Sequence, residues 1–154
     1  LFVKKKALSL KEKGVTHLHI RVDAGGGFGS GCIDLLKRDD ELIKAFAEFK
    51  VFEINFGGAA KDPHAYYDWI TEATADVAET LKGIAIINPP EALEADLCER
   101  ECEPRNRDGR FVKKLVEKDK FRKDHGRSPD DGDGFVLACV SDFLVDTTPE
   151  FMWA

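Results

Sequence analysis

The chain contains few of the residues that cross-link small secreted domains. Its 154 residues include four cysteines and one methionine. Apart from one C-x3-C pair, the cysteines are too dispersed for a disulfide framework: Cys32, Cys98, Cys102 and Cys139. We expect reduced thiols; a zinc site that adds His64 or His125 to the C-x3-C pair is an alternative. The cysteine usage therefore indicates a reducing, cytoplasmic setting.

Long apolar runs are also missing. None approaches the roughly 20 residues that a membrane-spanning helix needs, so we expect no membrane association. The start, Leu1-Phe2-Val3-Lys4-Lys5-Lys6, has neither the apolar stretch nor the cleavage site of a signal peptide. It has no initiator methionine and reads as mid-sequence, which predicts a fragment or an excised domain. Length and composition, with 43% hydrophobic and 34% charged residues, predict one soluble domain over 1–154.

Acidic residues outnumber basic ones, since the net charge is −6, but the positive charge is concentrated in one segment. The segment from Arg105 to Arg127 contains ten basic and four acidic residues. Its net charge is therefore +6, and that of the rest of the chain is −12. A solvated hairpin and helix would account for this segment. The alternative is a strip that contacts nucleic-acid phosphates beside an acidic pocket.

Hydrophobic periodicity predicts alternating strands and helices, which is typical of an α/β sheet with a hairpin at one side. Predicted strands cover residues 16–22, 51–56, 84–87 and about 111–116, and Asp108-Gly109 is a predicted hairpin turn. Predicted helices cover residues 1–13, about 33–49, 66–81, 91 to about 101, 118–125, and a last segment that starts at 128–129. In such sheets, functional groups collect at the carboxyl ends of the strands.

Asp23 lies at such a strand end, directly before a glycine-rich turn. It could simply be a turn or cap residue. The loop does not match nucleotide-binding fingerprints, because no G-x-G-x-x-G spacing occurs and Gly31 is followed by Cys32-Ile33 instead of Lys-Ser/Thr. A nucleotide-binding domain is therefore disfavoured. What remains is a carboxylate at a strand end, beside a glycine loop that lets a bulky ligand come close to it.

The segment Ser128-Pro129-Asp130-Asp131-Gly132-Asp133 combines helix-start chemistry with a possible metal site. Ser128 suits the N-cap, Pro129 the first helical position, and Asp131 the acid of a capping box. Asp130 and Asp133 lie three residues apart and should share a helix face, where they repel each other unless a cation lies between them. Carboxylates of this kind suit Mg²⁺ or Mn²⁺, and two such ions can promote phosphodiester cleavage.

Four segments in order resemble the nuclease domain of viral large-terminase subunits, of the ribonuclease H-like superfamily. Residues 22–36 (VDAGGGFGSGCIDLL) are similar to its second acidic motif, and 55–60 (NFGGAA) resemble the next strand and loop. Residues 66–69 (YYDW) resemble the start of the following helix. Residues 117–134, which contain GRSPDDGDG, resemble the closing basic segment and its S-P-D-x-x-D helix. The likeness runs from about residue 14 to 145.

This resemblance implies a resolvase/integrase-type mixed sheet flanked by helices, with the N-terminal strands missing. It implies a two-metal endonuclease that cuts concatemeric double-stranded DNA during genome packaging in the cytoplasm of an infected host cell. Asp23, Asp130 and Asp133 would be the catalytic metal ligands, with Asp131 as a possible outer partner, and two Mg²⁺ or Mn²⁺ ions as cofactors. The residues expected to contact DNA are Lys113, Lys114, Lys118, Lys120, Arg122, Lys123 and Arg127. Expected partners are the terminase ATPase domain, the small terminase subunit and the portal.

The chain departs from the family pattern at the first acidic residue, in the absence of the ATPase motor domain and, with little consequence, at Gly134. The family's first acidic residue lies on an earlier strand, and no such strand precedes residue 14, so this chain alone should bind metal weakly or cut DNA poorly. Gly134 stands where a small alanine is usual. The alternative function is a non-catalytic module that holds DNA or the portal. If the acids converge, their repulsion predicts that Asp133→Asn melts higher than the unsubstituted protein without metal.

Overall fold

The computed structural model describes residues 2–27 and 29–145, which form two compact units that divide between Asn55 and Phe56. Within the described residues there are seven α-helices and two separate two-stranded sheets. The fold is therefore mixed α/β, which confirms the coarse fold class. No described helix combines the length and apolar character required to cross a membrane. The expectation of a single domain over 1–154 stays a prediction.

The first unit is built around a parallel strand pair. In chain order it contains α1 (Phe2–Glu12), β1 (His17–Asp23), a 3-10 turn (Gly25–Gly27), α2 (Ser30–Lys37), α3 (Asp40–Ala45) and β2 (Glu48–Ile54). β1 and β2 pair from His17↔Glu48 to Asp23↔Ile54. Parallel strands need a long crossover, which α2 and α3 supply. The core joins α1 to this crossover through Ala7, Leu36, Leu42 and Phe46.

The expectation of one helix over about 33–49 is wrong, because Asp39 starts a new helix. Its carboxylate accepts hydrogen bonds from the N–H groups of Glu41 and Leu42, which makes it the N-cap of α3. The backbone then becomes extended at Phe46, and β2 begins at Glu48, three residues before the predicted strand.

The second unit holds the remaining elements. These are α4 (Trp69–Leu81), α5 (Leu93–Cys98), β3 (Cys102–Arg107), β4 (Arg110–Leu115), α6 (Lys118–His125) and α7 (Asp130–Cys139). The predicted helix at 118–125 is confirmed at both ends. The predicted hairpin is confirmed too: β3 and β4 pair antiparallel, and Asp108 and Gly109 adopt φ of 52° and 80° in the turn. Positive φ at both positions is typical of a two-residue type I′ turn.

Two local predictions in this unit are wrong. Residues 84–87 form no strand: the segment is irregular, and Ile84 and Ile87 are exposed. It pairs with no strand among the described residues, so its apolar sequence alone cannot produce sheet structure. The helix predicted over residues 91 to about 101 is shorter, because α5 ends at Cys98 and β3 begins at Cys102, so the two cysteines do not lie on one helix.

Side chains of α4 and α5 hold β4 and α7 in place. The hydroxyl of Thr71, which is 1% exposed, accepts a hydrogen bond from Leu115 N at 2.9 Å. The buried carboxylate of Asp96 accepts one from Gly132 N at 3.0 Å. A Cβ on Gly132 would lie 2.8 Å from Asp96 Cβ, so the absence of a side chain lets α7 approach α5 closely. The start of α7, with its acidic residues, is thereby fixed in the second unit.

Candidate functional site

The amino-terminal turn of α7 and the start of α6 bring two carboxylates around one ammonium group. Lys118 Nζ lies 2.5 Å from Asp133 Oδ2 and 3.9 Å from Asp130 Oδ1. The sequence spacing predicted that Asp130 and Asp133 share a helix face, where they repel each other unless a cation, expected to be a metal ion, lies between them. In the structure the cation near both carboxylates is the ammonium group of Lys118, and the metal ion stays a prediction.

Asp133 is the buried member of this group, and a second cation holds it. Its side chain is 8% exposed, and Oδ1 accepts a hydrogen bond from Arg100 Nη1 at 2.7 Å. The Arg100 side chain is also 8% exposed, and its Nε donates to Val116 O at 2.9 Å. Since a buried charge without a partner is costly, Arg100 and Asp133 stabilise each other.

The two oxygens of Asp133 are used differently. Oδ1 has the hydrogen bond from Arg100, whereas Oδ2 is buried and accepts no hydrogen bond within the described residues. Lys118 is close enough to Oδ2 for an ion pair, but the geometry is not that of a hydrogen bond. The ammonium group of Lys118 therefore neutralises the oxygen that Arg100 does not hold.

The start of α7 differs from the predicted capping box. Pro129 occupies the N-cap and no side chain caps the helix. Ser128 Oγ instead donates to Asp130 Oδ1 at 2.7 Å, so Ser128 orients one of the candidate ligands. Asp131, predicted as a capping acid or outer metal partner, is exposed.

Sequence reasoning missed Arg100 and Asp96. Asp96 is 4% exposed and pairs with Arg127 as well as with Gly132 N. Both residues lie more than 30 positions from their partners in α7, and neither belongs to a recognisable motif. The only available signal was the presence of charged residues inside and just after a short amphipathic helix, which does not predict burial.

Asp23 lies at the end of β1 in the first unit, as predicted. It is half-buried, and its Oδ1 accepts a hydrogen bond from Gly25 N at 2.9 Å, which is the turn role that was weighed against a metal role. A Cβ on Gly29 would lie 2.6 Å from the Asp23 carbonyl oxygen. The absence of a side chain at Gly29 therefore lets the loop pack closely against the end of β1.

Among residues 2–27 and 29–145, no three or more His, Cys, Asp or Glu side chains are grouped so that they could hold a metal ion. This finding gives no support to the zinc alternative with His64 or His125. The metal set Asp23, Asp130, Asp131 and Asp133 stays a prediction, of which the structure brings Asp130 and Asp133 to one shared cation.

Most of the residues predicted to contact DNA have an acidic partner within the second unit. The pairs are Lys114 with Glu117, Lys118 with Asp133, Lys120 with Glu103, Arg122 with Asp119, and Arg127 with Asp96. The hydrogen bond from Lys114 lowers the pKa of the Glu117 carboxyl. Lys113 and Lys123 are exposed and have no ion pair among the described side chains. DNA contact by these seven residues stays a prediction.

Comparisons of this chain with protein-family models, with curated proteins and with solved structures found no match.

Proposed function

We propose that this chain is a metal-dependent endonuclease domain of the viral large-terminase type, which cuts concatemeric double-stranded DNA by phosphodiester hydrolysis. The observation that carries the proposal is the arrangement of Asp130 and Asp133 around Lys118. It supplies two carboxylates on one helix end, a cation between them and a basic segment next to them. The S-P-D-x-x-D motif and the order of the four similar segments support the same proposal.

The carboxylates at this site are of the chemical type that binds a divalent cation, which would have to displace the Lys118 ammonium group from Asp133 Oδ2. Asp133 Oδ2 is buried and accepts no hydrogen bond from the described residues, while Arg100 holds Oδ1 and thereby fixes the orientation of the carboxylate. Mg²⁺ and Mn²⁺ prefer carboxylate oxygens. Bound divalent cations activate water and stabilise the leaving oxygen in phosphodiester hydrolysis. Asp133 and Asp130 would bind the cation, with Asp131 as an outer partner.

In this proposal Lys118 has two roles. Without metal it neutralises the two carboxylates at the start of α7. With metal and DNA bound, its ammonium group leaves the carboxylates and contacts a phosphate of the backbone. Lys118 is a suitable residue for this exchange, because its side chain is 36% exposed and has a long flexible stem.

The ribonuclease H-like sheet, the remaining ligand Asp23 and the partners belong to the same proposal. Asp23 lies at a strand end, where such folds collect functional groups. The resemblance also implies a further acidic residue outside these 154 residues, so this chain alone should cut DNA poorly. The ATPase domain, the small subunit and the portal are the proposed partners, in the cytoplasm of an infected cell.

The test is calorimetric titration with Mn²⁺ of the unsubstituted chain and of Asp130→Asn, Asp133→Asn and Asp23→Asn. Asp130 is 76% exposed, so its substitution leaves folding intact while it removes a proposed ligand. Asp124→Asn, an exposed acid on α6 with no proposed role, is the matched control. We expect binding that the first three substitutions weaken and the control does not. Absence of binding by the unsubstituted chain, or equal binding by all variants, would contradict the metal role.

A non-catalytic DNA-binding or portal-binding module is the second candidate. It is favoured by the fact that Arg100 and Lys118 already neutralise Asp133 without any metal. Under this alternative, DNA binding persists in Asp133→Asn and Mn²⁺ has no effect on it. Filter binding of a duplex with and without Mn²⁺ distinguishes the two candidates.

A further inference from the structure

The tip of the β3–β4 hairpin places two arginines directly opposite each other. Arg107 and Arg110 are the last paired residues before the turn, and directly paired residues project from the same face of an antiparallel ladder. Like charges in this position destabilise a hairpin. An anion between the guanidinium groups would remove the repulsion.

A histidine from outside the hairpin lies at the same place. The chain at residues 65–67 pairs with β4: Lys113 N donates to Ala65 O at 2.9 Å, and Tyr67 N donates to Lys113 O at 2.8 Å. This pairing places His64 Nδ1 3.2 Å from Arg110 Nη1. If Nδ1 accepts from the guanidinium, the ring proton is on Nε2, which is then a further hydrogen-bond donor.

These residues line a cavity of about 360 Å³ together with Pro63, Asp108 and Val112. Arg107 is fixed at its edge by a hydrogen bond to Tyr67 O at 3.0 Å and by the Tyr67 ring, whose centroid lies 5.7 Å from the guanidinium carbon. With neutral His64, two guanidinium charges and the Asp108 carboxylate give the cavity a formal charge of +1. A backbone phosphodiester carries a single negative charge and matches it, whereas free phosphate is a mixture of monoanion and dianion near neutral pH.

The charge at this tip also differs from that of most of the basic segment, although Lys113 and Lys123 likewise have no ion pair among the described residues. Five of the lysines and arginines from Lys114 to Arg127 have carboxylate partners. Arg107 and Arg110 form no ion pair with any acid in the part of the chain that the structure describes. A charge without an acidic partner can bind an external phosphate without first breaking an internal pair, which favours the hairpin tip over α6.

We propose that His64, Arg107 and Arg110 form a binding pocket for one backbone phosphate of double-stranded DNA. This inference rests on the proposed function in cutting DNA and adds a contact site separate from Asp130 and Asp133. The pocket recognises phosphate and not base edges, so its contribution is independent of DNA sequence. Contacts of this kind fix the position of a duplex on a protein.

The test is the salt dependence of duplex binding, measured by fluorescence anisotropy between about 50 and 200 mM salt with the full chain. The variants are Arg110→Gln, His64→Gln and Arg107→Gln. The Arg110 guanidinium hydrogen-bonds to His64, whereas the Tyr67 contacts belong to Arg107, so replacing Arg110 spares them. The matched control is Lys82→Gln, an exposed lysine at the end of α4 in the same unit.

We expect Arg110→Gln to weaken binding roughly tenfold at low salt and to reduce the slope of log K against log salt by about 1, equally for two unrelated sequences. His64→Gln should have a smaller effect, and Lys82→Gln none. An unchanged slope in Arg110→Gln would overturn the proposal, as would absence of salt-dependent binding by the unsubstituted chain. Saturable binding of inorganic phosphate that does not compete with the duplex would assign the pocket to free phosphate and also overturn it.

The outcome can be separated from that of the proposed nuclease function. Arg110→Gln should keep the Mn²⁺ affinity of the unsubstituted chain, because Arg110 has no contact with Asp130 or Asp133. Duplex binding that depends on Arg110 without any Mn²⁺ binding would support the pocket and contradict the nuclease. Mn²⁺ binding together with a salt slope that does not change in Arg110→Gln would support the nuclease and contradict the pocket.

Discussion

Lys118 Nζ lies 2.5 Å from Asp133 Oδ2, so a cation of the chain itself occupies the position next to the most buried acid of the candidate site. This ion pair changes what substitutions at Asp133 should do. Mutual repulsion of acids predicted that Asp133→Asn would stabilise the metal-free protein. The contacts with Lys118 and Arg100 reverse that expectation, because the carboxylate now compensates two positive charges.

We therefore predict that Asp133→Asn lowers the free energy of unfolding of the metal-free protein by roughly 3 kcal/mol. The amide removes the negative charge and leaves Arg100, at 8% exposure, without its ionic partner. Asp130→Asn, at a side chain that is 76% exposed, should change the free energy by less than about 0.5 kcal/mol. Urea unfolding followed by circular dichroism measures both. Equal stabilities of the two variants would contradict the structural role of the Arg100–Asp133 pair.

A second prediction concerns Lys118 as a competitor for the metal. Lys118→Gln removes the ammonium group between the carboxylates and should raise the affinity for Mn²⁺ roughly tenfold, since an adjacent positive charge disfavours a dication. Lys120→Gln is the control, because Lys120 pairs with Glu103 on β3 and not with the site. Isothermal titration with Mn²⁺ gives both values. Weaker binding by Lys118→Gln than by the control would argue against competition.

The two glycines of α7 should respond to alanine with opposite signs. A Cβ at Gly132 would lie 2.8 Å from Asp96 Cβ, so Gly132→Ala must displace α7 from α5 and should cost roughly 2 kcal/mol. Nothing lies within 4 Å of a Cβ at Gly134, which is exposed, so Gly134→Ala should stabilise the helix by about 0.5 to 1 kcal/mol. Thermal unfolding of the two variants checks the signs. Stabilisation by both substitutions would show that the close contact with Asp96 is not maintained in solution.

A fourth prediction concerns acid stability of the first unit. The hydrogen bond from Lys4 is the main reason why the pKa of Asp39 is lowered from 3.8, and the N–H groups of Leu42 and Glu41 add to it. A carboxyl with a lowered folded pKa contributes stability above its unfolded pKa and loses it as the pH falls through the folded value. Stability should therefore decrease as the pH falls below about 3.8.

The same hydrogen bond raises the pKa of Lys4 above 10.5. Its contribution is fully present below pH 10.5 and is lost as the pH rises through the higher folded value. Asp39→Asn keeps a capping side chain but removes the charge, so it should flatten both limbs of the stability profile. Urea midpoints of both proteins between about pH 2.5 and 11 test this. An unchanged profile in the variant would exclude the Lys4–Asp39 pair as the cause.

The sequence predicted those parts of the fold that local chemistry determines. The helix at 118–125 was predicted to the residue, and Asp108-Gly109 was predicted as a hairpin turn, because two-residue turns have a strong sequence preference. The helix over 33–49 was mispredicted, since hydrophobic spacing continues through Asp39 while its side chain begins a new helix. The strand predicted at residues 84–87 is absent, because strand formation depends on a partner strand that the segment itself does not encode.

For the candidate site, the three-residue spacing predicted that Asp130 and Asp133 face one cation, but not which cation. That cation is Lys118, already known from the sequence as part of the basic segment. Arg100 could not have been predicted, because its pairing with Asp133 depends on how α5 packs against α7. The convergence of Asp23 with the acids of α7 stays a prediction.

The close contact between Gly132 and Asp96 has a consequence for ligand binding at the start of α7. The carboxylate of Asp96 holds the backbone N–H of this helix, and the missing side chain leaves almost no space between the two helices. These contacts oppose a shift of the helix. If the proposed cation binds here, most of the adaptation should come from the rotamers of Lys118 and of the carboxylates, so the entropic cost of binding would fall mainly on a few side chains.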